Sequence, residues 1–129
     1  MPRDLIPDEV RRFILASIPS VPFVEAMLIF MSQPGAPIET RDIARRLYIR
    51  ESTGAEIVAQ LHAARIVEPA AAEPAAHRFA PASPELAEML RSVAALYSKD
   101  LIGVTDLIHS RASRKAQVFA DAFKLRKDS

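Results

Sequence analysis

The chain has no cysteine among its 129 residues, so it can form no disulfide, offer no thiolate nucleophile and hold no metal through sulfur. Glycine is nearly as scarce. The three glycines, Gly35, Gly54 and Gly103, stand apart, which leaves no glycine-rich loop to cradle a phosphate. No serine sits in a Gly-x-Ser-x-Gly elbow. His62, His77 and His109 are far apart in sequence and form no HxxxH or HxH pair, so no metal site is expected. Long apolar runs are missing too. The most apolar stretch, Phe23 to Met31, is interrupted by Glu25 and is far shorter than the roughly 20 residues that span a bilayer. The start, "MPRDLIPDEVRR", is charged and broken by proline, unlike a secretory signal. Paired acids such as Glu85 and Glu88 read as a solvated helix face. These absences lead us to expect a cytoplasmic protein that is not an enzyme, has no cofactor and does not enter a membrane.

What remains is an ordinary globular composition, with 50% hydrophobic and 26% charged residues, long enough for one domain with an extension. The formal net charge of +1 conceals an asymmetry. Residues 1–19 sum to zero, 20–81 to −1, 82–109 to −2 and 110–129 to +4. The basic character is concentrated at the C-terminal end.

The hydrophobic pattern divides the chain into an N-terminal helix in 1–19, a domain over 20–81, a long helix within 82–109 and a basic helix or tail over 110–129. Pro7, Asp8 and Glu9 suit a helix start, and Val10, Phe13, Ile14 and Ile18 give that helix one apolar face. Ser20 can cap a second helix with Pro22 in its first turn. That helix, 21–33, is apolar nearly all round, as a buried central helix is. After "PGAP", Ile38 and Glu39 allow only a very short strand. Thr40 is expected to cap a helix over 41–47 with Ile43, Ala44 and Leu47 inward. Thr53 with Glu56 fits a capping box, which starts the next helix near Ser52 and runs it to about Ala64. "RIVEP" and "AHRFAP" have short strand character around a proline-alanine loop that is expected to be mobile.

From Pro84, with Ser83 as its cap, Leu86, Leu90, Val93, Tyr97, Leu101, Val104 and Ile108 recur at spacings of 4, 3, 4, 4, 3 and 4. This is an eleven-residue repeat, which predicts a nearly straight apolar stripe. A continuous helix of about 26 residues would be roughly 39 Å long. A domain of this size is not expected to cover such a stripe alone, which predicts a homodimer. In the tail, Val118, Phe119, Ala122 and Phe123 can share a face, with Arg111, Arg114, Lys115, Lys124, Arg126 and Lys127 outward.

The order helix, short strand, helix, turn, helix, hairpin, long helix is that of a winged helix-turn-helix. Over about Ser20 to Pro81 the chain resembles the winged-helix repressors of the MarR and PadR type, through "IETRDIARRLYIRESTGAEIVAQLHAARIVEP". The resemblance implies a mainly α fold with a two-stranded wing, a long C-terminal dimerisation helix and, beyond it, a basic terminal helix. It also implies a DNA-binding transcriptional regulator whose helix 52–64 enters the major groove. Carried over by position, the base-reading side chains are Ser52, Thr53, Glu56 and Gln60, beside Ala55 and Ala59. Gln60 could pair with adenine and Glu56 accept from cytosine. The phosphate contacts fall to Arg41, Arg45, Arg46, Arg50 and Arg78, and the dimer to the stripe from Leu86 to Ile108.

Each assignment has an alternative. Thr53 and Glu56 are also read as a capping box, and the arginines as a solvated face pairing with Glu39, Asp42 and Glu51. The chain also departs from the family pattern. The wing loop "EPAAAEPAA" has no Lys or Arg, and Arg65 stands where the pattern has glycine. A winged helix that serves as a protein-interaction module without DNA is the second reading.

Overall fold

The computed structural model describes residues 6–110, and the expectations for the tail 111–129 lie outside them. Helix α1 (Asp8–Ser17) follows Pro7 and carries Asp8 and Glu9 in its first turn, where carboxylates meet the positive end of the helix dipole. Helix α2 (Val21–Ser32) begins as expected. The Ser20 hydroxyl accepts from the Phe23 N–H at 3.3 Å, and Pro22 occupies the first turn. The two helices meet at 107°. Phe23, Val24, Ala26, Met27 and Phe30 of α2 are buried, so this all-round apolar helix is the centre of the core.

Strand β1 (Ile38–Glu39) leads into α3 (Thr40–Leu47), then α4 (Glu51–Ala63). Two starts differ from expectation. Thr40 is already helical, with Glu39 in the cap position and no side-chain cap bond. Helix α4 begins at Glu51 after Arg50, again without a side-chain cap, so Thr53 and Glu56 lie inside the helix and form no capping box. Ile43 and Ala44 of α3 pack inward, as do Ile57, Val58 and Leu61 of α4.

The wing is more regular than its composition suggests. Strands β2 (Val67–Ala72) and β3 (Ala75–Phe79) pair antiparallel across most of the segment read as a mobile loop, and the connection shrinks to Glu73 and Pro74. Proline and alanine are poor strand residues, but pairing overrides propensity here. The sheet order is β1-β3-β2, which puts Pro69 on an outer strand where its missing N–H is tolerated. The register is irregular just after it, between Pro69 and Ala71. Strand β1 closes the sheet through Ile38 opposite His77 and Glu39 opposite Ala76.

The long C-terminal helix is two helices, α5 (Pro84–Lys99) and α6 (Leu101–Ser110). Ser83 caps α5, accepting from the Leu86 N–H at 3.1 Å. The break is at Asp100, at φ −136° and ψ 63°. Its N–H donates to the Leu96 carbonyl at 2.7 Å and closes α5. Its carboxylate accepts from the Gly103 N–H at 3.1 Å and starts α6. A Cβ on residue 103 would collide with that carboxylate, so Gly103 makes room for the cap.

This break corrects the expectation that the stripe needs a partner along its whole length. Leu90, Val93, Val104 and Ile108 are buried within this one chain, in the same core as α1 and α2. Leu86 and Tyr97 are half-buried against it. Only Leu101, 52% exposed, departs, and its neighbour Ile102 is 74% exposed.

Candidate nucleic-acid interface

Helices α3 and α4 form the helix-turn-helix. They approach closely where Gly54 passes Ala44; a Cβ at 54 would lie 2.9 Å from the Ala44 Cβ, nearer than such atoms come. The turn is closed by a Schellman motif, in which the Tyr48 N–H donates to the Arg45 carbonyl at 3.2 Å and the Ile49 N–H to the Ala44 carbonyl at 3.0 Å. A second such motif ends α4, with Arg65 N–H to the His62 carbonyl at 2.9 Å and Ile66 N–H to the Leu61 carbonyl at 3.0 Å. Both motifs require a left-handed residue, normally glycine. Here they use Tyr48 at φ 57° and Arg65 at φ 65°.

With Gly54, Ile57, Val58 and Leu61 turned to the core, the opposite face of α4 is solvent-exposed at Ser52, Ala55, Glu56, Ala59 and Gln60, and Thr53 is half-buried. All four nominated reading side chains therefore lie on or beside one outward face. That face carries hydroxyl, amide and carboxylate groups between two alanines, so a groove floor could approach closely.

The five nominated arginines separate into two groups. Arg41 Nε lies 2.6 Å from Glu39 Oε1, and Arg45 lies 3.2 Å from Asp42, both exposed pairs. Arg78 Nε lies 3.3 Å from Glu68 Oε2, its partner on the adjacent strand, at an angle that makes no hydrogen bond. Arg46 and Arg50, both exposed, form no ion pair among the described residues. Glu51, the third acid considered as a partner, pairs with none of the arginines. The unneutralised positive charge thus sits at the end of α3 and the entrance to α4. The wing carries exposed Glu68 and Glu73 and no free cation.

His62 and His77, far apart in sequence, meet in the fold. One lies near the end of α4 and the other in mid-β3, and the hairpin register brings their rings edge to face with centroids 5.8 Å apart. The Nδ1 of His77 is buried without a hydrogen-bond partner. Burial holds the His77 pKa below its ordinary value, and the charge His62 can carry lowers it further. No third metal-ligating side chain joins the pair among the described residues. Between α5 and α2 the Tyr97 hydroxyl donates to Glu25 Oε2 at 3.5 Å. Burial raises the Tyr97 pKa, with the Glu25 charge and this hydrogen bond adding to it.

Open grooves line the surface between α1 and α5, one of about 440 Å³ beside Val10, Met89 and Glu88 and another of about 320 Å³ beside Pro7, Leu96 and Lys99. The first is also lined by Glu9, Glu85 and Ser92, but among the described residues no three carboxylates or imidazoles are grouped to hold a metal ion.

No protein-family model matches the chain, and no curated protein matches it in sequence. Among solved structures it is similar to the multiple antibiotic-resistance repressor (MarR) from Listeria monocytogenes 4b F2365, with 17% identity, a TM-score of 0.50, and coverage of 93% of this chain and 83% of the other. A protein described as a possible transcriptional regulator from Methanosarcina mazei Go1 matches with 16% identity, a TM-score of 0.48, and coverage of 88% and 86%. RV1404 from Mycobacterium tuberculosis matches with 13% identity, a TM-score of 0.47, and coverage of 85% and 69%. At such identities the likeness to the Listeria repressor is one of fold: the chain is a winged helix, mainly helical with a three-stranded antiparallel sheet.

Proposed function

We propose that this protein is a transcriptional regulator that binds duplex DNA as a homodimer and performs no catalysis. The observation that carries the reading is the outward face of α4, with Ser52, Thr53, Glu56 and Gln60, flanked at its entrance by the guanidiniums of Arg46 and Arg50, which form no ion pair among the described residues. A helix of this kind can present its N-terminal residues to base edges while the preceding helix and turn rest on the phosphates. The solved winged helix it shares a fold with is described as a repressor, which supports the same reading. Arg41, Arg45 and Arg78 join the contact only by exchanging a carboxylate for a phosphate, so they contribute less than Arg46 and Arg50. Among the described residues no single helix is long and apolar enough to cross a membrane.

Dimerisation belongs to the surface that the chain leaves uncovered around Leu101 and Ile102, not to the buried part of the stripe. The basic tail 110–129 is a further source of attraction for DNA in this reading.

A second reading, a winged helix that docks on another protein, is favoured by the acidic wing and by the carboxylates already paired to Arg41, Arg45 and Arg78. The dependence of affinity for random duplex DNA on salt separates the two. Each phosphate neutralised contributes about −0.9 to the log–log slope, so a regulator gives a slope of several units and a protein-docking module a slope near zero.

A further inference from the structure

Position 48 combines two features that the fold does not require together. Its backbone lies at φ 57°, where a Cβ crowds the neighbouring carbonyl. Its phenol ring is 95% exposed, so it returns no packing. The Schellman closure between α3 and α4 asks only for a left-handed residue, and glycine would supply it without strain. The tyrosine side chain is therefore not explained by the turn.

Its surroundings indicate what it would meet. From Ile43 to Arg50 there is no carboxylate, and Arg46 and Arg50 stand two residues to either side, exposed and without ion pairs among the described residues. A rigid aromatic with a hydroxyl tip, held outward among guanidiniums, matches a polyanion that alternates oxygen acceptors with apolar sugars. Tyrosine donates readily to phosphate oxygens, and its ring can lie against deoxyribose.

We propose that Tyr48 anchors the helix-turn-helix to the phosphodiester backbone of duplex DNA, with its hydroxyl donating to a phosphate oxygen between those met by Arg46 and Arg50. The inference rests on the DNA-binding reading above and deepens it. The left-handed backbone directs the Cα–Cβ bond outward from the turn, and the ring, with only two side-chain torsions, has little further freedom to lose on contact. The contact is uncharged. It adds affinity on every sequence but displaces no counterion, and so it leaves the salt slope alone.

The test uses the full chain with random duplex DNA over a series of salt concentrations. Tyr48→Gly is expected to melt at a higher temperature than the wild type and yet bind about tenfold more weakly, the scale of a hydrogen bond to a charged group, at an unchanged salt slope. Tyr48→Phe keeps the ring and the strained turn, and should lose most of the same affinity; it carries the test if glycine loosens the turn. Arg46→Ala with Arg50→Ala should instead flatten the slope. Wild-type affinity in both Tyr48 variants overturns the anchor and leaves DNA binding standing. A wild-type protein with no salt-dependent binding overturns the anchor and the regulator reading together.

Discussion

Gly54 and Ala44 bring the two helices of the helix-turn-helix into close contact, and the missing Cβ at 54 is what permits it. The angle at which α4 is presented depends on this contact. Gly54→Ala is expected to destabilise the fold by about 1–3 kcal/mol, as overpacking does, although alanine is the better helix former. Adding Ala44→Gly should recover part of the loss. Denaturant melts of the two single variants and the double variant give the coupling. Additive effects would show that the two residues do not determine the helix spacing.

The arginines give a graded expectation. Arg46→Ala with Arg50→Ala should flatten the salt slope for DNA by up to about two units, whereas Arg41→Ala with Arg45→Ala should change it less, because Glu39 and Asp42 already neutralise that pair. Thr53→Ala or Gln60→Ala should alter preference among sequences at nearly constant slope. Titrations at several salt concentrations rank the four variants, and equal slopes for both arginine pairs would show that the ion pairs do not matter.

His77 makes stability depend on pH. Its folded-state pKa lies below the ordinary 6.5, so at neutral pH the ring is uncharged in both folded and unfolded chains. As pH falls through 6.5 the unfolded chain takes up a proton that the folded chain resists, and stability declines until the folded-state value is passed. Thermal melts at pH 7.5 and 5.5 should differ more for the wild type than for His77→Phe. His62→Gln should reduce the effect without removing it, since burial is the larger cause.

Leu101 and Ile102 should behave unlike the rest of the stripe. If they form the dimer contact, Leu101→Asp with Ile102→Asp should give a folded monomer by light scattering, with unchanged circular dichroism. Leu90→Asp or Val104→Asp should unfold the chain, because each would bury an unpaired carboxylate in the core. A wild-type chain that scatters as a monomer removes the dimer.

The sequence made legible what is decided within a few residues. Ser20 and Ser83 cap their helices as expected because acceptor and N–H are three residues apart. The winged topology followed from the order of such segments. What was missed depends on pairing at a distance. The Ala–Pro segment became strand because β3 lies between β1 and β2, and His62 met His77 because that register carried one to the other. The Thr53–Glu56 box failed because α4 begins at Glu51, with Arg50 in the cap position and no side-chain cap, so Thr53 already lies inside the helix. Periodicity identified the stripe from Leu86 to Ile108 but could not say what covers it. Asp100 falls inside that repeat, yet the helix breaks there and the chain covers most of the stripe itself. Of the candidate interface, the exposure of the α4 face was legible, but the division of the arginines into paired and free was not.

The proline on the outer strand has a consequence for assembly. A sheet grows by offering a row of free N–H and carbonyl groups along its edge. Here one edge, β1, is two residues long. The other, β2, has Pro69 in its ladder, an irregular register beside it and exposed Glu68. Neither edge offers an incoming chain a continuous template, so the sheet ends at three strands. At high concentration, copies of this protein are therefore poorly placed to fuse into a shared sheet through these strands.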